Sequence, residues 1–295
     1  MALYNPFARR ESHSAQALIA YRALAVASWA LVVIFGIFYS IRGPADTSRG
    51  RTIWHQLGRS YTEFTVDVVV VEIYWILLLL SQIFYLGQLF NKEEAAVISA
   101  AEGAPYFILQ NLFVFAWIHL WVRNYFWPAE VFLVASFINQ HVLFWRVRSL
   151  PPVSHLAVVA GPHAWTLIAL FWNGAIAVHA HTTAAEITAN VFIWIFFLIG
   201  TAHILSRADA ILGYSLSLLA FGLAVTQTSR KHGTHLQWIF AWVIFACFLL
   251  QSLYVTQIKH LNRDIWFRSL EEQDSSDAER APLLDDSAPA PGVTA

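Results

Sequence analysis

Cysteine occurs once in the 295 residues, as Cys247 in the apolar run WVIFACFLL. An intrachain disulfide is therefore excluded, and so is a CxxC metal site. Cys247 reads as a small apolar residue facing core or lipid. Charge is scarce too. Asp, Glu, Lys and Arg make up 13% of the residues, about half the share in a soluble globular domain. The net charge of −1 leaves no basic face to neutralise phosphates, which argues against a nucleic-acid partner. No Asn-x-Ser/Thr acceptor occurs, so no loop is marked for glycosylation. Nucleophile–base triads, glycine-rich phosphate loops and HExxH patterns are also missing, so catalysis has no support and no cofactor or metal is expected. The first apolar run is too long for a cleaved signal peptide and lacks a small-x-small cleavage site.

What the chain does have is apolar bulk: 58% hydrophobic residues, with 13 Trp and 22 Phe. That composition belongs to membrane proteins. A spanning helix needs about 20 apolar residues to cross about 30 Å of hydrocarbon. Eight runs qualify: Ala17–Ile41, Val66–Phe90, Ala104–Val122, Pro128–Trp145, Ala160–Val178, Ile187–Leu205, Ala208–Gln227 and Leu236–Gln257. The runs are continuous rather than alternating, which points to helices and excludes a barrel. The expected fold is an all-α, polytopic transmembrane helix bundle. Its expected parts are an N-terminal segment (1–16), a helical domain (17–258) and a disordered acidic tail (259–295). Ser206–Arg207 is the only break between the sixth and seventh runs, so a merged helix is an open alternative there. Trp and Tyr at predicted ends, among them Trp54, Tyr61, Trp121, Tyr125, Trp127, Trp145 and Trp238, form an aromatic belt.

With eight spans both termini face one side. Lys and Arg divide 11 to 7 in favour of that side, so both ends are expected in the cytosol. From Glu271 onward the chain is acidic and poor in apolar residues, and it is expected to be disordered. Within it, ERAPLL resembles an acidic-dileucine sorting signal, with Glu279, Leu283 and Leu284 as its readable positions. An extended strand can lay two leucines in an apolar groove while its carboxylate meets a basic patch. At the other end, Asn5-Pro6-Phe7 resembles the tripeptide bound by EH domains. Clathrin adaptors and EH-domain proteins are the implied partners, beside the lipid bilayer itself. The implied location is the endosomal and vacuolar membrane system.

Further stretches carry a family resemblance: NPFARRESHS, WVRNYFWPAEV, GPHAWTLIALFWNGAIAV, ANVFIW and LQWIFA. They resemble a fungal family of multi-span integral membrane proteins of unknown function (domain of unknown function 1774). The resemblance is expected to run from the N-terminus to about Tyr254 and to exclude the acidic tail. It implies membrane topology and transfers no activity.

Polar groups inside the runs need a reason, because hydrocarbon penalises them by several kcal/mol unless they pair or snorkel. Glu72, His119, Glu130, Asn173 and Asn190 are the candidates for a polar path near the end of the bundle away from the termini. A carboxylate at Glu72 could exchange a proton with an acidic lumen. The plainer alternative is an ion pair of Glu72 or Glu130 with Arg123. Asn173 and Asn190 lie at similar depth, where an interhelical amide bond is ordinary glue. Gly213, Ser217, Ala220 and Ala224 form a small-residue stripe that marks a close helix crossing. His141, His163 and His203 fall near one end of three runs, with His163 expected to cap a helix start. A b-type haem would need paired histidines on facing helices, and no second layer accompanies these three. His179 and His181 fall in a loop. Three functions follow in order: a small-solute or proton-coupled transporter, a non-catalytic scaffold or cargo-associated factor, and haem electron transfer.

Overall fold

The computed structural model describes residues 7, 13–47, 50–147, 150–178, 182–229 and 236–280. Every regular element among them is helical. Two compact units divide the chain, Met1–Leu253 and Tyr254–Ala295. The elements are α1 (Ala15–Ile41), α2 (Ile53–Arg59), α3 (Val68–Gln88), α4 (Glu94–Trp121), α5 (Phe126–Arg146) and α6 (Pro152–His155). A π-helical turn, Leu156–Ala160, leads into α7 (Gly161–Ala177). Then follow α8 (Thr183–Arg207), α9 (Ala210–Ser229) and α10 (Gln237–Arg280).

Four helix starts are fixed by side-chain caps of the preceding residue. Ser14, Thr52, Asp67 and Thr182 each accept a backbone N–H from the first turn of the helix that follows. Such caps satisfy donors that the helix itself leaves free. Asp67 is thus the N-terminal cap of α3. The break at Ser206–Arg207 separates two helices. Ala208 takes a left-handed conformation (φ 49°) and the Asp209 carboxylate accepts the Leu212 N–H at 3.0 Å, opening α9. The turn between α4 and α5 has the same logic: Asn124 is left-handed (φ 64°), which Asn tolerates better than most residues.

Helix α7 is central. In the most apolar 18 consecutive residues of Pro152–Ala177, 78% are buried, against 22% in those of Ala15–Ile41. Pro162 has no N–H to donate, and the π turn absorbs the fault: the Gly161 N–H reaches back five residues to Leu156 O. Glycine is required there, since a Cβ would meet Leu156 O and Leu78 Cδ1 at 2.7 Å each. Tyr74 donates to the Gly161 carbonyl at 2.7 Å and ties the fault to α3. His163 therefore caps nothing. It sits inside a continuous helical run, fully buried. The small-residue stripe on α9 does mark a close approach, because a Cβ on Gly213 would collide with the Ser252 side chain of α10.

Seven of the helical stretches are long and apolar enough to cross a membrane. The exception among the eight expected runs is α5, whose 21 residues include Glu130, Asn139, Gln140 and His141. Its polar residues face inward. Ser136 donates to the Gln110 side chain of α4 at 2.8 Å and lies 3.2 Å from Thr166 Oγ1 of α7. Asn139 donates to Tyr106 O at 3.0 Å. Val131, Val134, Ile138, Val142 and Trp145 are exposed at helical spacing along the opposite face. The tail also departs from expectation: α10 continues as helix to Arg280, through the stretch expected to be disordered. Extending a formed helix costs far less than nucleating one, and Leu, Glu, Gln, Arg and Ala in this stretch favour it.

Candidate functional site

The five candidate polar residues do not form one path. They fall into separate places with different chemistry.

Glu72 projects from the second turn of α3 into a cavity of about 520 Å³. The cavity is bounded by the last turns of α1, the short helix α2, and faces of α3, α4 and α7. Six tryptophans line it: Trp54, Trp75, Trp117, Trp121, Trp165 and Trp172. Four of them form a packed chain of rings, with centroids of Trp117–Trp121 at 5.7 Å, Trp117–Trp165 at 5.9 Å, Trp165–Trp172 at 6.4 Å and Trp121–Trp172 at 5.9 Å. The indole nitrogens of Trp117, Trp165 and Trp172 are buried without a partner among the described residues. They have no accessible surface, so these rings offer the cavity carbon and π surface rather than donors. Among the described residues Glu72 has neither hydrogen bond nor ion pair. The Arg123 pairing considered for it is not formed.

Glu130 is engaged instead with Asn173. The Asn173 amide donates to Glu130 Oε2 at 2.7 Å and to Phe126 O at 2.9 Å, clamping α7 to the start of α5. The carboxylate lies over Gly174, 3.4 Å from where a Cβ would stand. This replaces both the Glu130–Arg123 and the Asn173–Asn190 pairings. Asn190 stands apart, half-buried on α8. Glu130 and Glu63 both border a second cavity, of about 600 Å³, walled mainly by apolar side chains such as Phe137, Leu167, Phe171 and Phe192.

Arg123 takes an unforeseen partner in the first inter-helix loop. Its Nε donates to Asp46 Oδ2 at 3.0 Å, and its Nη1 donates to the Tyr39 hydroxyl at 3.0 Å and the His119 carbonyl at 2.8 Å. Tyr39 in turn is hydrogen-bonded to His119 Nδ1 at 2.9 Å. The hydrogen bond from Arg123 holds the Asp46 carboxyl below its ordinary value. His119 thus belongs to a latch that fastens the first loop to the α4–α5 turn. Arg51 N–H to Val122 O at 3.0 Å and Gln56 to Asn124 at 2.9 Å complete the latch.

The histidines at the other end do meet. His141 Nδ1 and His203 Nε2 are 3.0 Å apart, and the His163 and His203 ring centroids are 4.7 Å apart. His203 Nδ1 donates to Ile199 O at 2.7 Å, so its Nε2 accepts from His141. A direct imidazole–imidazole bond leaves no space for an iron between the rings, and the set does not fit a bis-histidine haem. Among the described residues no three His, Cys, Asp or Glu side chains are grouped to hold a metal.

Of the sorting motifs, only Phe7 and the backbone of Glu279 are described. The Phe7 ring packs edge-on against Tyr106 with centroids 5.2 Å apart. Glu279 lies in the last turn of α10 rather than in an extended strand. Asn5, Pro6, Leu283, Leu284, His179 and His181 lie outside the described residues. Sequence reasoning missed the tryptophan wall and Asp46. The wall had a signal, because Trp117/Trp121 and Trp165/Trp172 recur at four- and seven-residue spacing on single helix faces.

Residues 186–284 match a family described as fungal protein of unknown function (DUF1774). The resemblance read from the sequence holds over this stretch, which contains ANVFIW and LQWIFA. Its extent differs from expectation. The match enters the acidic tail as far as Leu284, while the quoted N-terminal and central segments lie outside it. No curated protein and no solved structure matches the chain.

Proposed function

We propose that this chain is a multi-pass membrane protein of eight spans that holds a small ligand within its helix bundle, in the cavity at Glu72. The observation that carries this reading is a carboxylate with no partner among the described residues, set in a tryptophan-walled cavity. Its volume, about 520 Å³, falls in the ordinary range of small-molecule sites, roughly 300–1,000 Å³. The inward-facing polar residues and outward-facing apolar stripe of α5 support its count as the eighth span. An even count, with the 11-to-7 division of Lys and Arg, favours both termini in the cytosol. Non-catalytic ligand holding agrees with the helix-to-helix bonds that engage Glu130, Asn173, Gln110, Ser136 and Asn139.

Transport is the second reading. The observation in its favour is the second cavity, with carboxylates of its own at Glu63 and Glu130. A single cysteine at Ser40, which lines the Glu72 cavity, separates the two. In a Ser40→Cys, Cys247→Ser chain, N-ethylmaleimide should label the folded protein, and a membrane-impermeant maleimide should reach it from one face at most. Labelling by the impermeant reagent from both faces of sealed vesicles supports transport. A folded protein that resists N-ethylmaleimide, but reacts once unfolded, overturns the ligand cavity.

Sorting through the endosomal and vacuolar system is part of the proposal and rests on ERAPLL. Replacing Leu283 and Leu284 with alanine in a fluorescently tagged chain should relocate it. An unchanged location removes this part.

A further inference from the structure

The Glu72 cavity has a chemical signature sharp enough to name its ligand class. Among the described residues its lining holds one carboxylate and no lysine, arginine or histidine, a set that suits a cation rather than an anion. Among those residues, apart from the indoles, Ser40 is the only other polar side chain, and its hydroxyl already donates to Gly36 O at 2.8 Å. A primary ammonium brings three N–H donors, and this lining offers acceptors only on Glu72 and Ser40. A fully alkylated ammonium brings none. It needs a negative charge and aromatic surface, and both are present. Indole is the best side chain for attracting such a cation, and aromatic cages are the usual recognition device for quaternary ammonium.

The site also shows how the ligand's apolar part is accommodated. Ile37 and Ile41 of α1 and Ile76 of α3 belong to the lining and are also exposed on the outer face of the bundle, at 57%, 72% and 58%. The cavity therefore opens between α1 and α3 toward the hydrocarbon. An alkyl chain can leave through that gap while the cation stays inside. Gly36 sits on the same wall with nothing within 4 Å of where its Cβ would be.

We infer that the cavity between α1, α3, α4 and α7 binds a quaternary ammonium group carried on an apolar chain, with Glu72 as counter-ion and the tryptophans as its wall. This rests on the reading of the cavity as a ligand site and adds the ligand's charge and alkylation. The cation also accounts for the solitary carboxylate, since a charge within a bundle of spanning helices is retained where something neutralises it.

The test uses the full chain purified in a neutral maltoside detergent, with hexyltrimethylammonium as probe and intrinsic tryptophan fluorescence and thermal stability as readouts. Hexyl sulfate and hexanol are the anionic and neutral controls. Saturable binding of hexyltrimethylammonium alone is expected. Glu72→Gln should weaken it at least tenfold. Gly36→Phe, which fills open space, should abolish it while the protein stays folded. Competition by a short-chain phosphatidylcholine would identify a lipid headgroup as the source, and its failure to compete would point to a free amphiphilic cation; both agree with the proposal. Equal binding of all three hexyl compounds, or a Glu72→Gln chain that binds as the parent does, overturns the cationic class and leaves the cavity standing. No binding of any probe overturns the ligand class when Ser40→Cys is still labelled by N-ethylmaleimide, and the cavity reading too when it is not.

Discussion

Glu72 and Glu130 are both carboxylates near the starts of helices in the same half of the bundle, yet the protein treats them differently. Glu130 is held by the Asn173 amide at 2.7 Å and bridges α5 to α7. Glu72 has no partner among the described residues and lines a cavity together with six tryptophans. A polar group inside an apolar bundle is retained when it earns its place in one of two ways: by bonding within the protein or by bonding a ligand. Glu130 takes the first way, and the proposed ligand site assigns Glu72 the second. Depth in the helix does not distinguish them, whereas their partners do.

The contrast can be broken by mutation. The largest expected effect is at the partnered site. Asn173→Ala strands the Glu130 carboxylate and should destabilise the folded protein by about 1–3 kcal/mol, the usual cost of leaving a buried polar group unsatisfied. Thermal unfolding in detergent reads this directly, and a neutral result would place Glu130 with Glu72. Next comes Glu72→Gln. It should leave thermal stability within about 0.5 kcal/mol of the parent, as expected where no internal contact is lost. A clear loss of stability there would mean that Glu72 is structural. Ser136→Ala removes one bond of the buried set joining α4, α5 and α7, and should cost about 0.6 kcal/mol, typical of a hydrogen bond between membrane helices.

The smallest effect concerns Asp46, in the exposed latch. The hydrogen bond from Arg123 lowers its pKa in the folded state below the ordinary carboxylate value. Its contribution to stability is therefore present above the unfolded value and is lost as pH falls through the lower folded value. Asp46→Asn should reduce stability slightly at neutral pH, and the difference from the parent should vanish in strong acid. A difference that persists at the acid end would show that the latch does not depend on this charge. High salt should also shrink the effect, because the carboxylate is exposed.

Much of the helical frame was legible because hydrocarbon imposes a length and a composition on whatever crosses it. All eight expected runs correspond to helices. Their ends were less legible. Helix α4 begins at Glu94, ten residues before the apolar run, because Glu, Ala and Ser extend a helix without adding hydropathy. The π turn before Gly161 was not foreseen, since Pro162 announces a fault without saying how the backbone absorbs it. The site was legible as an inventory and not as a map. Glu72, Glu130 and Asn173 could each be singled out by chemistry. That Asn173 meets Glu130, and that Arg123 meets Asp46, depends on how helices rotate about their axes, which one chain's spacing does not fix. The tryptophans read as belt and core residues. They become a cavity wall only when α4 and α7 are set side by side.

The most direct test of this contrast is an experimental structure of the full chain in lipid or detergent with hexyltrimethylammonium present. The account predicts density for the cation against the Glu72 carboxylate, bounded by Trp75, Trp117 and Trp165, with Glu130 still bonded to Asn173. A closed cavity, or an arginine or lysine of the protein seated on Glu72, would contradict it.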